Sequence, residues 1–188
     1  MTVIKRKDTS LKKVFVHRVA DVRGGVSVAT SELNVDFIEE GTVISAPVSG
    51  ISHVVKYALV QANAANSAVK IKVYKGHNFQ VGDVIMAAEN GAAYAITAIA
   101  TSNSAYDELT IGTTLGVALT ADVSYIYAAA ESGASGAALK YEPFAVVGTG
   151  KPVVQGQNVD TDAWIIGVTK GNSLPALIAG KLKGIINY

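Results

Sequence analysis

The sequence predicts an all-β protein, built mainly from short antiparallel strands in β-sandwich or small β-barrel modules with little helix. Three observations support this class. Short runs rich in Val and Ile alternate with polar residues, as in half-buried strands. Turn residues recur about every 8–12 residues, a spacing typical of sandwiches and barrels. Few segments keep the period of an amphipathic helix.

Residues 14–65 form the first predicted β segment. Gly24-Gly25 predicts a two-residue hairpin turn between neighbouring strands. The strand before Pro47 is expected to end there, because proline cannot donate to a sheet ladder. Residues 51–60 fit both a helical face and a strand, and their valine content favours the strand.

Residues 66–131 are predicted to form a small β-barrel or sandwich module of five or six strands. Val69, Ile71 and Val73 alternate with polar residues and are expected to face the core. Asn90-Gly91 predicts a type I′ hairpin turn.

The small-residue run at 132–138 is predicted to be a linker, and 139–188 a C-terminal β segment. This segment resembles residues 14–65 in its short, glycine-punctuated strands. We therefore expect the two terminal segments to pack together, with 66–131 inserted between them. The closing LPALIAGKLKGIINY fits a short helix or extended structure.

Charge is scarce in this chain. Charged residues make up 16% of it, sixteen Lys and Arg against fifteen Asp and Glu, and the mean hydropathy is +0.32, whereas about 25% charge is usual. A symmetric oligomer or a larger assembly would explain this composition, because part of the surface would then face protein rather than water. A monomer with a neutral polar surface is the alternative. The balanced charge argues against a specific nucleic-acid binder.

Metal, cofactor and catalytic signatures are weak. His17, His53 and His77 are not at metal-ligand spacing, and the chain has no cysteine. GTGKP at 148–152 lacks the hydroxyl residue of a phosphate-binding loop. We therefore expect no catalytic residue, metal or cofactor. No apolar run approaches the roughly 20 residues of a membrane span. No secretory signal is visible, so synthesis in a cytoplasm is expected.

The stretch KVYKGHNFQVGDVI at 72–85 is interpreted as two strands joined by a turn. Phe79 and Val81 are expected to be core residues. His77 and Asp83 are poorly placed for acid–base chemistry, and replacement of His77 by Ala is expected to be nearly silent.

A basic N-terminal arm at 1–13 is the main charge asymmetry, and it could dock on an acidic surface or be a solvated terminus. Trp164, the single tryptophan, is a core residue or an interface anchor. The predicted partner-binding residues are Lys5, Arg6, Lys7, Lys12, Lys13 and Trp164.

Four stretches carry a family resemblance: IKVYKGHNFQVGDVI (71–85), AAYAITAI (92–99), YDELTIGTTLG (106–116) and VTKGNSLPALIAGKLKGIINY (168–188). In these the chain resembles modules of tailed-bacteriophage structural proteins. It is most similar to head-fibre or capsid-decoration proteins, including those of phages and prophages of gut Bacteroidales.

The resemblance implies a non-enzymatic virion protein on the outside of an icosahedral head. Its partners would be the major capsid protein, further copies of the chain in a homodimer or homotrimer, and other head-fibre proteins. The alternative is a β-sandwich adhesin or carbohydrate-binding module that contacts host-surface glycans, with tyrosines such as Tyr94, Tyr106, Tyr125 and Tyr127 as stacking platforms. An enzyme is a third alternative that no spacing in the sequence supports.

Overall fold

The computed structural model describes residues 12–154 and 156–188, which form sixteen strands and one short helix. The strands are β1 (Phe15–Asp21), β2 (Val26–Val28), β3 (Phe37–Ile38), β4 (Val43–Ser45), β5 (Ile51–Ser52), β6 (Tyr57–Leu59), β7 (Lys70–Tyr74), β8 (Val84–Met86), β9 (Ala93–Ala100), β10 (Tyr106–Ile111), β11 (Tyr125–Ala128), β12 (Pro143–Val147), β13 (Lys151–Pro152), β14 (Val159–Thr161), β15 (Ala163–Thr169) and β16 (Ile185–Asn187). The helix α1 is Ala176–Lys181.

Strands from the two ends of the chain pair with each other. The terminal sheet has the order β1-β15-β12-β4, and β16 adds to β15 in parallel. Two small sheets, β14-β2-β5 and β13-β3, also combine strands from both ends. Because these three sheets combine strands from both ends of the chain, the two terminal segments form one folded unit.

The central sheet has the order β6-β11-β8-β9-β10-β7. Its two edge strands approach each other through the Val60–Val73 bridge, and the Gln61 amide donates to the Lys72 carbonyl at 2.8 Å. The prediction of an all-β fold with antiparallel sheets is confirmed, although no sheet in the described residues closes into a barrel. The β6 strand, placed in the N-terminal segment by sequence, belongs to this sheet.

Three apolar clusters form the core. One fills the central sheet around Phe79, Ile85 and Leu109, and another lies among the terminal strands around Val28 and Ala145. The third cluster combines residues of both regions. It contains Met86, Ala93 and Tyr127 from the central sheet, and Val43, Val146 and Ile178 from the terminal region. The two regions are therefore joined by continuous apolar packing.

Two valines predicted to be core are exposed. Val69 precedes β7 and is 41% exposed, while Val81 lies in the connection before β8 and is 61% exposed. Ile71, Val73 and Phe79 are buried as predicted. The alternation rule fails at Val69 and Val81 because it holds only inside a strand, and both residues lie outside one.

Two predicted hairpins differ from the structure. Gly24 and Gly25 do form a turn, in which the Gly25 amide donates to the Val22 carbonyl, but the flanking β1 and β2 join different sheets. The β8–β9 hairpin exists, but 87–92 is a longer loop, in which Asn90 has a positive φ and Gly91 does not. A type I′ turn would require positive φ at both residues.

The 132–138 segment is an ordered connection. The Gly133 amide donates to the Ala93 carbonyl, and the Gly133 carbonyl accepts from the Ala93 amide. Ala137 exchanges hydrogen bonds with the Asn90-Gly91 loop. Its small residues thus lie directly against the β8–β9 hairpin. The C-terminal stretch was predicted to be either a short helix or extended structure, and it contains both, since α1 is followed by the parallel strand β16.

Candidate interaction surface

Arg18 lies over two aromatic rings at the outer strand of the terminal sheet. Its guanidinium carbon is 5.2 Å from the centre of the Phe15 ring and 5.4 Å from that of Trp164. The two rings are themselves 6.2 Å apart. A guanidinium above aromatic rings is attracted by the negative potential of the ring faces. These side-chain contacts stabilise the pairing of β1 with β15 in addition to the backbone hydrogen bonds between the two strands.

Glu40 fixes the point where the basic arm meets the sheet. Its Oε1 accepts hydrogen bonds from the Val14 amide at 2.9 Å and the Phe15 amide at 2.8 Å. Its Oε2 lies 3.5 Å from Arg18 Nη2. Because Glu40 is itself largely buried, the residues that follow Lys13 have a defined position.

Trp164 is half-buried, and its Nε1 donates to Asp162 Oδ2 at 2.8 Å. A Cβ atom at Gly148 would collide with the indole, so glycine is required where β12 passes the ring. Burial opposes ionisation of Asp162, but the bond from Trp164 and the nearby Arg18 hold the pKa of this carboxyl below its usual value.

Three of the predicted partner-binding residues are described by the structure, and they lie at different points along β1: the lysines precede it, whereas the Trp164 backbone is paired with Asp21 at its other end. Lys12 and Lys13 are exposed immediately before Val14, and Trp164 packs near Phe15. Lys5, Arg6 and Lys7 lie outside the described residues.

Exposed apolar side chains lie on and beside the strands that carry Phe15, Arg18 and Trp164. The residues, here called the edge surface, are Val16, Val19, Ile166, Ile186 and Tyr188, each between 44% and 65% exposed. The register pairs Val168 with Ile186, so Ile166 and Ile186 share one face of the sheet. In the described part of the chain, β1 has β15 as its sole ladder partner, which leaves its outer edge unpaired. An unpaired edge beside apolar side chains is a natural place for association.

Sequence reasoning missed a buried polar cluster between the central and terminal regions, here called the junction network. It consists of Glu32, Lys56, Asp83, Lys140 and Tyr141. Lys56 Nζ lies 2.7 Å from Asp83 Oδ2, and the Lys56 side chain is only 1% exposed. Lys140 Nζ lies 3.5 Å from Glu32 and 3.9 Å from Asp83. The sequence signal for this network was Lys56, a lysine within the apolar run VVKYALV (54–60).

Tyr141 completes the network from the terminal side. Its hydroxyl donates to Glu32 Oε1 at 2.6 Å, and its ring stacks on His53 with the centres 4.3 Å apart. Burial of Glu32 opposes ionisation, but the bonds to Tyr141 and Lys140 keep the pKa of the carboxyl low. The network therefore joins both regions through side-chain ion pairs and the Tyr141–Glu32 hydrogen bond.

The histidines occupy three separate places. His17 is exposed on β1, His53 is stacked on Tyr141, and His77 is buried in the turn after β7. Among residues 12–154 and 156–188, no three His, Asp or Glu side chains are grouped closely enough to hold a metal ion. The helix in the described chain is too short to cross a membrane.

Comparison with known proteins produced no family model, curated protein or solved structure that matches this chain.

Proposed function

We propose that this chain is a non-enzymatic structural protein of a tailed-phage virion, attached to the outside of the capsid and self-associating. The observation that supports it best is the exposed apolar edge surface beside the unpaired edge of β1, a strand that begins shortly after the exposed Lys12 and Lys13. The resemblance of four sequence stretches to head-fibre and decoration proteins points to the same role.

Attachment would use two kinds of contact. The basic arm at 1–13 supplies cations that attract an acidic face of the major capsid protein, and such charge pairs guide association more than they fix affinity. Trp164 and the edge surface supply apolar area, which fixes the docked position. Glu40 fixes the backbone of Val14 and Phe15, directly after the arm, because it accepts hydrogen bonds from both amides.

The attachment proposal is tested on purified capsids that lack this protein. Removal of residues 1–13 should lower occupancy at physiological salt, and Trp164→Ala should lower it further. Tyr106→Ala is the matched control, since this ring lies over Lys72 on the central sheet. Circular dichroism confirms that each variant is folded. Unchanged occupancy after both changes would remove this surface from capsid attachment, and absence of the chain from purified virions would remove the virion role altogether.

A second candidate function is the binding of host-surface glycans, as an adhesin. It is favoured by a tyrosine-lined groove next to the third apolar cluster, formed in part by Tyr57 and Tyr125.

A further inference from the structure

A cavity of about 280 Å³ lies beside the connection between β3 and β4 and is here called the acidic groove. The apolar residues Val35, Phe37 and Val54 line it, together with Asp36 and Glu39. Lysine and arginine pack their apolar stems on such a surface while their charged heads stay in water. The groove therefore suits a peptide segment that carries both cationic and apolar side chains.

The two carboxylates of the groove are not balanced by a nearby cation. Asp36 and Glu39 are exposed, and neither forms an ion pair within residues 12–154 and 156–188. The neighbouring Glu40 differs, because it is buried and lies 3.5 Å from Arg18. The groove thus presents two negative charges to a cation from outside the described residues.

The basic arm at 1–13 meets the described fold next to this groove. Glu40 accepts the amide of Val14, and a Cβ atom placed on Gly41 would lie 2.8 Å from Val14 Cγ2. Glu40 and Gly41 are the two central residues of a turn in which the Thr42 amide donates to the Glu39 carbonyl. Glu39 and Thr42 both line the groove. Val14 therefore contacts residues that directly adjoin the groove lining.

The arm has the length and the side chains that the groove requires. Thirteen residues precede Val14, and an extended chain of that length spans up to about 43 Å. The arm carries three consecutive cations at 5–7 directly after the apolar pair Val3 and Ile4, and Asp8 is its single acidic residue. Because the arm is tethered beside the groove, its effective concentration there is on the order of mM, so a weak contact is sufficient.

We propose that the acidic groove binds the basic arm of the same chain. The cations at 5–7 pair with Asp36 and Glu39, and the neighbouring apolar side chains pack on Val35 and Phe37. The docking itself does not depend on the proposed function, but its consequence rests on it. An arm held in the groove has to be released before its cations contact the capsid, so the groove regulates attachment.

A larger cavity of about 800 Å³ is a poorer site for the arm. It is lined by Gly24 and Gly25, which follow β1, whereas the arm precedes this strand of seven residues. Lys151 also lines it, and its carboxylate residue Asp162 already lies 4.0 Å from Arg18. Both position and charge therefore favour the acidic groove.

The test uses spin-label NMR on the full chain. Because the chain has no cysteine, Thr2→Cys provides a single thiol for a nitroxide, which broadens the amide signals of nearby residues. We expect the amide signals of residues 35–39 to be broadened at low salt. This broadening should be lost in about 1 M salt, where the screening length is about 3 Å.

Asp36→Asn combined with Glu39→Gln should weaken docking by about tenfold, because two ion pairs are lost. The matched control removes the same charge elsewhere, by Glu131→Gln combined with Asp160→Asn. Both control residues are exposed and lie outside the acidic groove, so the control should keep the broadening of the parent chain.

A mixture of isotope-labelled protein without the nitroxide and unlabelled protein carrying it separates docking within one chain from exchange between copies. Broadening in this mixture as strong as within one chain would place the arm on a second copy and overturn the proposal. Broadening that is absent at 35–39, or equal in the groove variant and the parent, would overturn it too. No capsid is present in these measurements, so their failure leaves the attachment proposal unaffected, and that proposal fails only through the occupancy experiment.

Discussion

At the residue scale, the turn after β7 buries a large apolar ring and a polar one side by side. Phe79 is fully buried among the central strands, and its amide binds the His77 ring. His77 is 8% exposed and lies between this amide and Asp107. The turn is therefore part of the core as well as the connection that follows β7.

Phe79→Ala should lower the free energy of unfolding by about 3–5 kcal/mol, because it removes a fully buried ring and leaves a cavity. Urea denaturation measures the change. Tyr106→Ala, a ring at the sheet surface, serves as the control. A loss below about 1 kcal/mol, within the range of surface changes, would contradict the assigned position of the ring.

His77 should make stability depend on pH. Its folded pKa is lowered from the ordinary value of 6.5, mainly by burial. As the pH falls through that value, the unfolded chain takes up protons that the folded protein resists, so the free energy of unfolding decreases. Urea denaturation between about pH 7.5 and pH 5.5 should show this decrease, and His77→Gln should make it smaller.

His17→Gln is the matched control for this pH dependence, because His17 is exposed on β1. The His17→Gln variant should show the same decrease in the free energy of unfolding with falling pH as the parent protein. Equal pH profiles for the parent and His77→Gln would show that His77 does not contribute. For His77→Ala, the burial leads us to expect a loss of stability in place of a nearly silent change, since the replacement removes the acceptor for the buried Phe79 amide.

At the scale of elements, the junction network connects strands that belong to different sheets. Lys56 and Asp83 precede β6 and β8 of the central sheet, while Lys140 and Tyr141 precede β12 of the terminal sheet. A buried charge is tolerated only when its partners are in place. The network thus favours one relative arrangement of the two regions, in addition to the apolar cluster between them.

Lys56→Met should cost about 3–5 kcal/mol of unfolding free energy, because it leaves the buried Asp83 carboxylate without its closest cation. Lys70→Met is the matched control. Lys70 pairs with Glu108 on the exposed face of the central sheet, where water replaces the lost partner, and little change is expected. Equal effects for the two variants in chemical denaturation would contradict a buried role for the Lys56 pair.

At the scale of the whole molecule, the edge surface and the unpaired side of β1 are a region suited to contact between copies. Val19 is the extra residue of a bulge between Arg18 and Ala20, and it projects without a cross-strand partner on β15. Ile186 lies on the parallel strand at the same end of the sheet. Covering these side chains would remove apolar surface from water.

Val19→Lys combined with Ile186→Lys should convert an oligomer into a monomer, since each places a charge in the contact. Analytical ultracentrifugation at micromolar concentration measures the change. Val123→Lys is the control, because Val123 is similarly exposed but lies in the loop before β11. A monomeric parent protein under these conditions would contradict self-association through this surface.

The sequence by itself determined the all-β class and the positions of most strands, such as β7 and β9, because alternation and turn residues are local properties. It also identified Phe79 as core. Only the tertiary structure decided that β1 pairs with β15 rather than with β2, that Lys56 and His77 are buried, and that the Trp164 ring packs near Phe15. These outcomes depend on strand pairing between distant parts of the chain. Local patterning specifies which face of a strand is apolar, but it does not specify which distant strand covers it.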